Sequence, residues 1–87
     1  MVMFNDILID GNSAEGHVAV PIGIKVIADS AFEKSHVTQV EIPRTVTHIG
    51  ARAFYRCEDL EAVHMNSKPQ IEKDAFLMCP LLLEMQR

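Results

Sequence analysis

The sequence predicts an α/β solenoid, in which short parallel β-strands are joined by short helical or 3₁₀ turns over about three repeats of 22–23 residues. One isoleucine and one Ala-Phe pair recur at steps of 22 residues. Apolar and polar residues also alternate within each copy, as in half-buried strands. Because a repeat of this length cannot bury its apolar face alone, the copies should stack on one another. The three copies are Ile27, Ala31 and Phe32; Ile49, Ala53 and Phe54; and Ile71, Ala75 and Phe76.

The middle repeat shows each element most clearly. Residues 46–49 alternate between apolar and polar side chains and predict a first strand. Residues 51–56 suit a single helical or 3₁₀ turn that points Phe54 inward. A second strand follows, in which Val63 and Met65 share one face and His64 takes the other. We therefore expect two short strands and one helical turn in each repeat.

The first 19 residues differ from the repeats and predict an N-terminal β cap, followed by leucine-rich repeats over residues 20–87 of a single domain. An apolar segment at residues 7–9 precedes the turn signal Asp10-Gly11, and a second apolar segment follows Gly16. This pattern predicts a β-hairpin or paired strands with a glycine-bounded loop at residues 10–16. The hairpin would cover one end of the stack, as repeat arrays require for solubility.

The stacked arrangement predicts which side chains form the core. Phe32, Phe54 and Phe76 occupy equivalent positions and should form a ladder along the solenoid axis. The other inward positions are aliphatic or methionine. They are Val20, Ile24, Ile27, Val40, Ile42, Val46, Ile49, Leu60, Val63, Met65, Ile71 and Leu82.

Composition and charge argue against several kinds of partner. The net charge is −4 and the eight Lys and Arg residues are scattered, whereas phosphate binding needs clustered basic residues. No stretch approaches the roughly 18 consecutive apolar residues of a membrane span. The first residues also lack the basic and apolar regions of a secretory signal. We therefore expect no nucleic-acid partner and no membrane insertion.

The two cysteines and four histidines are the residues most able to carry chemistry. Cys57 and Cys79 are equivalent in successive repeats, so a disulfide or a redox pair is geometrically conceivable. We expect buried thiols that act as small apolar fillers, because a nucleophile with His64 as its base would need a third, orienting group. The histidines at 17, 36, 48 and 64 match no compact metal-ligand spacing and should be solvated. The sequence thus predicts no catalytic residue, no cofactor and no metal.

The repeat motif resembles that of a known family. Residues 42–63 read I-P-x-x-V-x-x-I-G-x-x-A-F-x-x-C-x-x-L-x-x-V, which is similar to the BspA-type leucine-rich repeat. The outer copies depart from the motif, since Ala28 and Glu72 replace the glycine and Ser35 replaces the cysteine. The resemblance covers residues 18–85 well.

The resemblance implies a curved solenoid with a parallel sheet on its concave side, to which residues 17–20, 39–42 and 62–65 contribute adjacent strands. Members of this family are typically large surface proteins of bacteria and some protozoa, with roles in adhesion and in binding host or partner proteins. The family is not known for enzymes. A fragment of such a protein would be at the cell surface or secreted. A complete chain without a signal would be cytoplasmic.

The leading hypothesis is a non-catalytic protein–protein interaction module with an unidentified protein partner. The candidate contacts are outward side chains of the concave sheet and residues just past its strands, namely Gln39, Glu41, Arg44, His64 and Asn66. The alternative is a structural segment of a larger adhesin-like cell-surface protein. A remote alternative is a small cysteine hydrolase built on Cys57 and His64.

The C-terminal segment, residues 76–85, is strongly apolar. An exposed sheet edge with apolar rows is a liability that proteins normally cover. We therefore expect either further repeats beyond this segment or a homo-oligomer in which two chains meet through it. For the chain in isolation we favour the homo-oligomer.

Overall fold

The computed structural model describes residues 1–82 and the backbone of residues 84–86. This part of the chain contains nine β-strands, and each repeat contributes one strand to each of two sheets. The strands are β1 Val2–Phe4, β2 Ile7–Asp10, β3 Glu15–Ala19, β4 Val26–Ile27, β5 His36–Ile42, β6 His48–Ile49, β7 Ala62–Met65, β8 Gln70–Ile71 and β9 Glu84–Gln86.

The two sheets stack the repeats in sequence order. The five-stranded sheet runs β1-β2-β4-β6-β8 and the four-stranded sheet runs β3-β5-β7-β9. Every pairing is parallel except that of β1 with β2. The strands predicted near residues 17–20, 39–42 and 62–65 are confirmed as neighbours in the four-stranded sheet. The fold is therefore a strand-rich repeat structure.

In the described residues, the turn that carries the Ala-Phe pair is not helical. The prediction of a helical or 3₁₀ turn is therefore wrong for these residues. The α/β class depended on that turn and is wrong for the same reason. In the first repeat Ala31 N donates to Ala28 O at 3.2 Å, and Ser35 N donates to Phe32 O at 3.0 Å. Ser30 has a φ of 59° and Lys34 a φ of 62°. Left-handed residues interrupt a right-handed helix, so the segment forms consecutive β-turns.

Hydrogen bonds between repeats explain why this turn forms. Phe32 N donates to Ala53 O at 2.6 Å, and Lys34 N donates to Tyr55 O at 2.8 Å. The next repeat does the same, with Phe54 N donating to Ala75 O at 2.7 Å. The peptide groups thus bond to the neighbouring repeat instead of closing a helix.

The aromatic ladder is confirmed. The rings of Phe32 and Phe54 stack with centroids 4.9 Å apart, and those of Phe54 and Phe76 with centroids 5.1 Å apart. The predicted core residues from Val20 to Met65 are buried. Ile71, Phe76 and Leu82 are only partly buried and pack against this core, because they belong to the last described repeat.

Several buried residues were missing from the predicted core, among them Leu8, Val37 and Ala62. Leu8 and Val37 are fully buried. Leu8 lies opposite Ile27 in the sheet and extends its aliphatic row by one strand. Ala62, which lies opposite the exposed Gln39 in the sheet, is also buried.

The N-terminal segment forms a hairpin at a different place from the one predicted. The antiparallel pair is β1 and β2, joined through Asn5 and Asp6. A hairpin around residues 10–16 is wrong, because β2 and β3 belong to different sheets. Gly11 N donates to Ala31 O at 2.6 Å, so the chain crosses between the sheets here as each later repeat does. The domain division at residue 19 stays a prediction.

Candidate interaction surface

The predicted contact residues lie on or beside the outward face of the four-stranded sheet. Gln39 and Glu41 are exposed on β5, and Glu41 lies opposite the half-buried His64 of β7. Arg44 and Asn66 are exposed just past these two strands. The structure therefore brings Glu41 and His64 together and leaves Arg44 and Asn66 at the rim of the face.

Glu41 has a partner on this face that the sequence reading missed. Its Oε2 lies 2.5 Å from Nε2 of His17 on the neighbouring strand β3. Both side chains are about half exposed, at 53% and 54%. The contact is an ion pair when the imidazole is protonated, and it links Glu41 to the neighbouring strand of the same sheet.

Two further histidines make the same kind of contact. His36 Nδ1 lies 3.0 Å from Asp59 Oδ2, and His48 Nε2 lies 3.3 Å from Glu72 Oε2. In each case the carboxylate belongs to the next repeat. These histidines are at the surface, as expected, but they connect adjacent repeats rather than facing only water. The signal in the sequence was a carboxylate 23 or 24 residues after His17, His36 and His48.

Asp59 raises the pKa of His36 above its ordinary value of 6.5. The main cause is the hydrogen bond between the two side chains, followed by the charge of the Asp59 carboxylate. Glu15 and Glu58 add smaller contributions in the same direction. Because these negative charges favour the imidazolium, His36 keeps its proton to a higher pH than a free histidine does.

The cysteines form a ladder of hydrogen bonds between repeats. Cys57 Sγ donates to Phe32 O at 3.0 Å, and Cys79 Sγ donates to Phe54 O at 3.0 Å. Both are free thiols, with Cys57 fully buried and Cys79 partly buried. Ser35, the equivalent residue of the first repeat, lies with its hydroxyl 3.5 Å from Cys57 Sγ. Besides filling space as predicted, the thiols bind main-chain carbonyls of the preceding repeat.

A hydrogen bond with Cys79 is the main cause that lowers the pKa of Cys57 to about 7. Burial opposes this shift, and a hydrogen bond with Ser35 acts in the same direction as Cys79. The same contact with Cys57, together with burial, raises the pKa of Cys79 above its ordinary value. A low thiol pKa favours a nucleophile only where a substrate can reach it. Cys57 has no exposed surface, and its thiol contacts Cys79, Ser35 and a main-chain carbonyl.

An arginine–tyrosine cluster lies on the side of the molecule formed by the turns. The guanidinium carbons of Arg52 and Arg56 lie 5.0 Å and 5.8 Å from the centroid of the Tyr55 ring. Beside Arg56 is an open cleft of about 380 Å³, lined by Lys34, Ser35, His36, Arg56, Glu58 and Asp59. Arg52, Tyr55 and Arg56 had no predicted role, because residue spacing alone does not place their side chains together.

The described residues contain no group of three His, Cys, Asp or Glu side chains that could hold a metal ion. That same part of the chain has no helix of the length and apolar character that a membrane crossing needs.

Comparison with protein families identifies the repeat. A family model described as a BspA type leucine rich repeat region, in six copies, matches residues 12–86. The chain belongs to the BspA-type leucine-rich repeat family. In this BspA-type chain, the cysteine of the motif has a defined structural role, since Cys57 binds the carbonyl of the phenylalanine one repeat earlier.

A solved structure agrees with this assignment. The chain is similar to a leucine rich cell surface protein from Faecalibacterium prausnitzii A2-165, with a TM-score of 0.76 and 30% sequence identity. The match covers 90% of this chain and 25% of that protein's chain. No curated protein matches the sequence. The BspA-type chain thus spans about a quarter of the larger protein that it resembles.

Proposed function

We propose that this leucine-rich repeat chain is a non-catalytic protein–protein interaction module that binds a protein through the outward face of its four-stranded sheet. The contacts would come from Gln39, Glu41 and His64 on the strands, with Arg44 and Asn66 at the rim. The partner is a protein, and neither a cofactor nor a nucleic acid takes part.

The observation that carries this proposal is the lateral alignment of polar side chains on the outward face of strands whose inward residues are buried. Glu41 and His64 lie opposite each other, and the residues that alternate with them, Val40 and Val63, are fully buried. Side chains on buried strands keep their positions better than side chains on loops. Leucine-rich repeat folds offer extended surfaces of this kind for binding.

An affinity-capture experiment tests the proposal. The tagged wild-type chain is compared with a Glu41→Lys, His64→Glu double variant and with a Thr47→Lys control, whose exposed side chain lies away from this face. We expect a specific partner to be captured by the wild type and the control but not by the double variant. Capture of the same partners by all three proteins would contradict the use of this face.

A second candidate function is that of a structural segment in a larger adhesin-like protein at the cell surface. It is favoured by the similarity to a leucine rich cell surface protein, because the match covers only 25% of that protein's chain. In that case the outward face would bind nothing by itself. Cloning the full reading frame with its flanking sequence, followed by surface labelling of cells that express it, distinguishes the two candidates.

The remote hydrolase alternative receives no support from the position of its nucleophile. Cys57 is fully buried and donates its hydrogen bond to Phe32 O. His64 lies on the outward side of β7. A nucleophile needs its base within hydrogen-bonding reach and a path for the substrate, and the interior position of Cys57 offers no such path.

We also propose self-association through the apolar C-terminal end. Leu77, Met78 and Leu81 are each about half exposed in the last described repeat. Leu83 and the side chains of residues 84–86 lie outside the described residues. Light scattering at micromolar concentration should give a dimer mass for the wild type and a monomer mass for a Leu77→Lys, Leu81→Lys variant. A monomer mass for the wild type would contradict self-association.

A further inference from the structure

A second surface lies on the side of the molecule that the turns form, away from the face proposed above. We call this surface the turn edge and define it as Lys34, Arg52, Tyr55 and Arg56. We propose that the turn edge is a docking site for an acidic peptide segment of a partner protein. This inference is independent of the function proposed for the four-stranded sheet, because none of its residues belongs to that face.

The first argument is that successive repeats align these residues. Lys34 and Arg56 occupy the same position in two adjacent turns, 22 residues apart in the sequence. Their left-handed φ values are alike, at 62° and 57°. The hydrogen bond from Lys34 N to Tyr55 O, 2.8 Å long, ties the two turns together. The basic side chains therefore project from a fixed backbone.

The second argument is that these cations are not neutralised within the described part of the chain. No carboxylate there lies within ion-pair distance of Lys34, Arg52 or Arg56. Glu33, next to Lys34, and Asp74, the equivalent of Arg52 in the next repeat, make no ion pair with these cations. A local cluster of three unpaired cations, in a chain with a net charge of −4, attracts a partner of opposite charge.

The third argument is the packing of both guanidinium groups against one ring. Arg52 and Arg56 both contact Tyr55, at 5.0 Å and 5.8 Å from its centroid. Stacking on an aromatic face orients a guanidinium, so that less side-chain entropy is lost when it binds a carboxylate with two hydrogen bonds. Arginine and tyrosine are also the residue types that most often dominate binding energy at protein interfaces.

The chemistry of the site favours a peptide over other anions. An extended peptide presents every second side chain on one side, roughly 7 Å apart, and so offers a row of carboxylates to a row of cations. The cleft beside Arg56 is lined by Lys34 and His36 and also by Glu58 and Asp59, of which Asp59 is paired with His36. Nucleic acids are disfavoured, since three cations neutralise few phosphates.

Tyr55 makes the test site-specific, because it is the only tyrosine and the chain has no tryptophan. Its fluorescence is followed while a short acetylated and amidated peptide of alternating Glu and Ser is added. We expect a saturable change for the wild type, with binding about tenfold weaker in an Arg52→Gln, Arg56→Gln variant. A matched variant with two other exposed cations removed, Lys25→Gln, Lys68→Gln, should bind within about twofold of the wild type.

Three results would overturn the proposal. The first is no saturable change with the wild type. The second is equal weakening in the matched variant, which would mean that net charge alone attracts the peptide. The third is a fluorescence response to a heparin oligosaccharide that depends on Arg52 and Arg56, combined with no response to the acidic peptide. In that case the partner would be a polysaccharide and not a peptide.

Two more variants complete the design. An Arg52→Lys, Arg56→Lys variant keeps both charges but loses the planar groups, and it should bind several-fold more weakly. Unchanged peptide binding in this variant would contradict the role given to the stacked guanidinium groups. The Glu41→Lys, His64→Glu variant should bind the acidic peptide like the wild type, so that failure at one surface is distinguishable from failure at the other.

Discussion

The ring of Phe54 stacks on the ring of Phe32, with centroids 4.9 Å apart and planes inclined by only 5°. Phe76 continues the column at 5.1 Å. These distances are close to the ~4.8 Å between neighbouring strands of a sheet. The rings therefore follow the backbone spacing, and each repeat places its phenylalanine directly over the next.

Removal of the central ring should destabilise the fold strongly. Phe54 is fully buried and contacts a ring on each side. We expect Phe54→Ala to lower the free energy of unfolding by about 3–5 kcal/mol, a large part of the total for a small domain. Urea unfolding followed by far-UV circular dichroism measures this change. The control is Phe4→Ala, because Phe4 is 65% exposed. Similar unfolding midpoints for the two variants would contradict the buried column.

A glycine covers the first ring of the column. A Cβ atom added to Gly11 would lie 2.8 Å from Cδ1 of Phe32, whose ring is fully buried and cannot move aside. We expect Gly11→Ala to destabilise the fold by about 1–3 kcal/mol through overpacking. The exposed position Ser13→Ala serves as the control, and thermal unfolding measures both. If Gly11→Ala were as stable as the wild type, Phe32 would not pack beneath Gly11.

The contact between His36 and Asp59 should make stability depend on pH. Because the pKa of His36 is raised in the folded state, this contact stabilises fully below the ordinary value of 6.5. Its contribution is lost as the pH rises through the higher folded pKa. NMR titration should place the His36 pKa above 6.5 in the wild type and closer to 6.5 in Asp59→Asn. An unchanged His36 pKa in Asp59→Asn would show that the contact is absent in solution.

The cysteines should react slowly in the folded protein for two different reasons. Cys57 has a lowered pKa but is fully buried. Cys79 is partly exposed, but its pKa is raised, so its thiol stays protonated. Iodoacetamide labelling at neutral pH, read by mass spectrometry, should be slow at both sites and become fast in urea. Rapid labelling of Cys57 in the folded state would instead indicate an accessible thiolate and favour the hydrolase alternative.

The column and the strands could be predicted because they depend on spacing alone. A constant step of 22 residues places Phe32, Phe54 and Phe76 in equivalent positions, whatever the turns between them do. Alternation in β5 and β7 likewise assigns Val40 and Val63 to the inside. Both features follow from burial of an apolar face, which is the strongest signal that a sequence carries.

The turns could not be predicted because their stability comes from neighbouring repeats. Residues 51–56 contain alanine and arginine, which favour a helix locally. In the structure Phe54 N and Arg56 N donate to carbonyls of the next repeat, at 2.7 Å and 3.0 Å. Two left-handed residues in the turn, Arg52 and Arg56, make these bonds geometrically feasible. Contacts between repeats therefore override the local preference.

The candidate surfaces were only partly visible in the sequence. Gln39 and Glu41 were placed correctly at the surface, because alternation assigns them to the outer side of a strand. The pairing of His17 with Glu41 depends on register, and repeats that differ in length by one residue obscure it. The stacking of Arg52 and Arg56 on Tyr55 depends on side-chain rotamers, which residue spacing does not determine.

The most direct test of the stacked repeats is a measurement of nuclear Overhauser effects among the aromatic ring protons in a chain with labelled phenylalanine. Stacked rings at 4.9 Å and 5.1 Å should give contacts between Phe32 and Phe54 and between Phe54 and Phe76. Phe32 and Phe76 are two strands apart, roughly 10 Å, and should give none. Absence of both neighbouring contacts, or a strong contact between Phe32 and Phe76, would contradict the repeat stack.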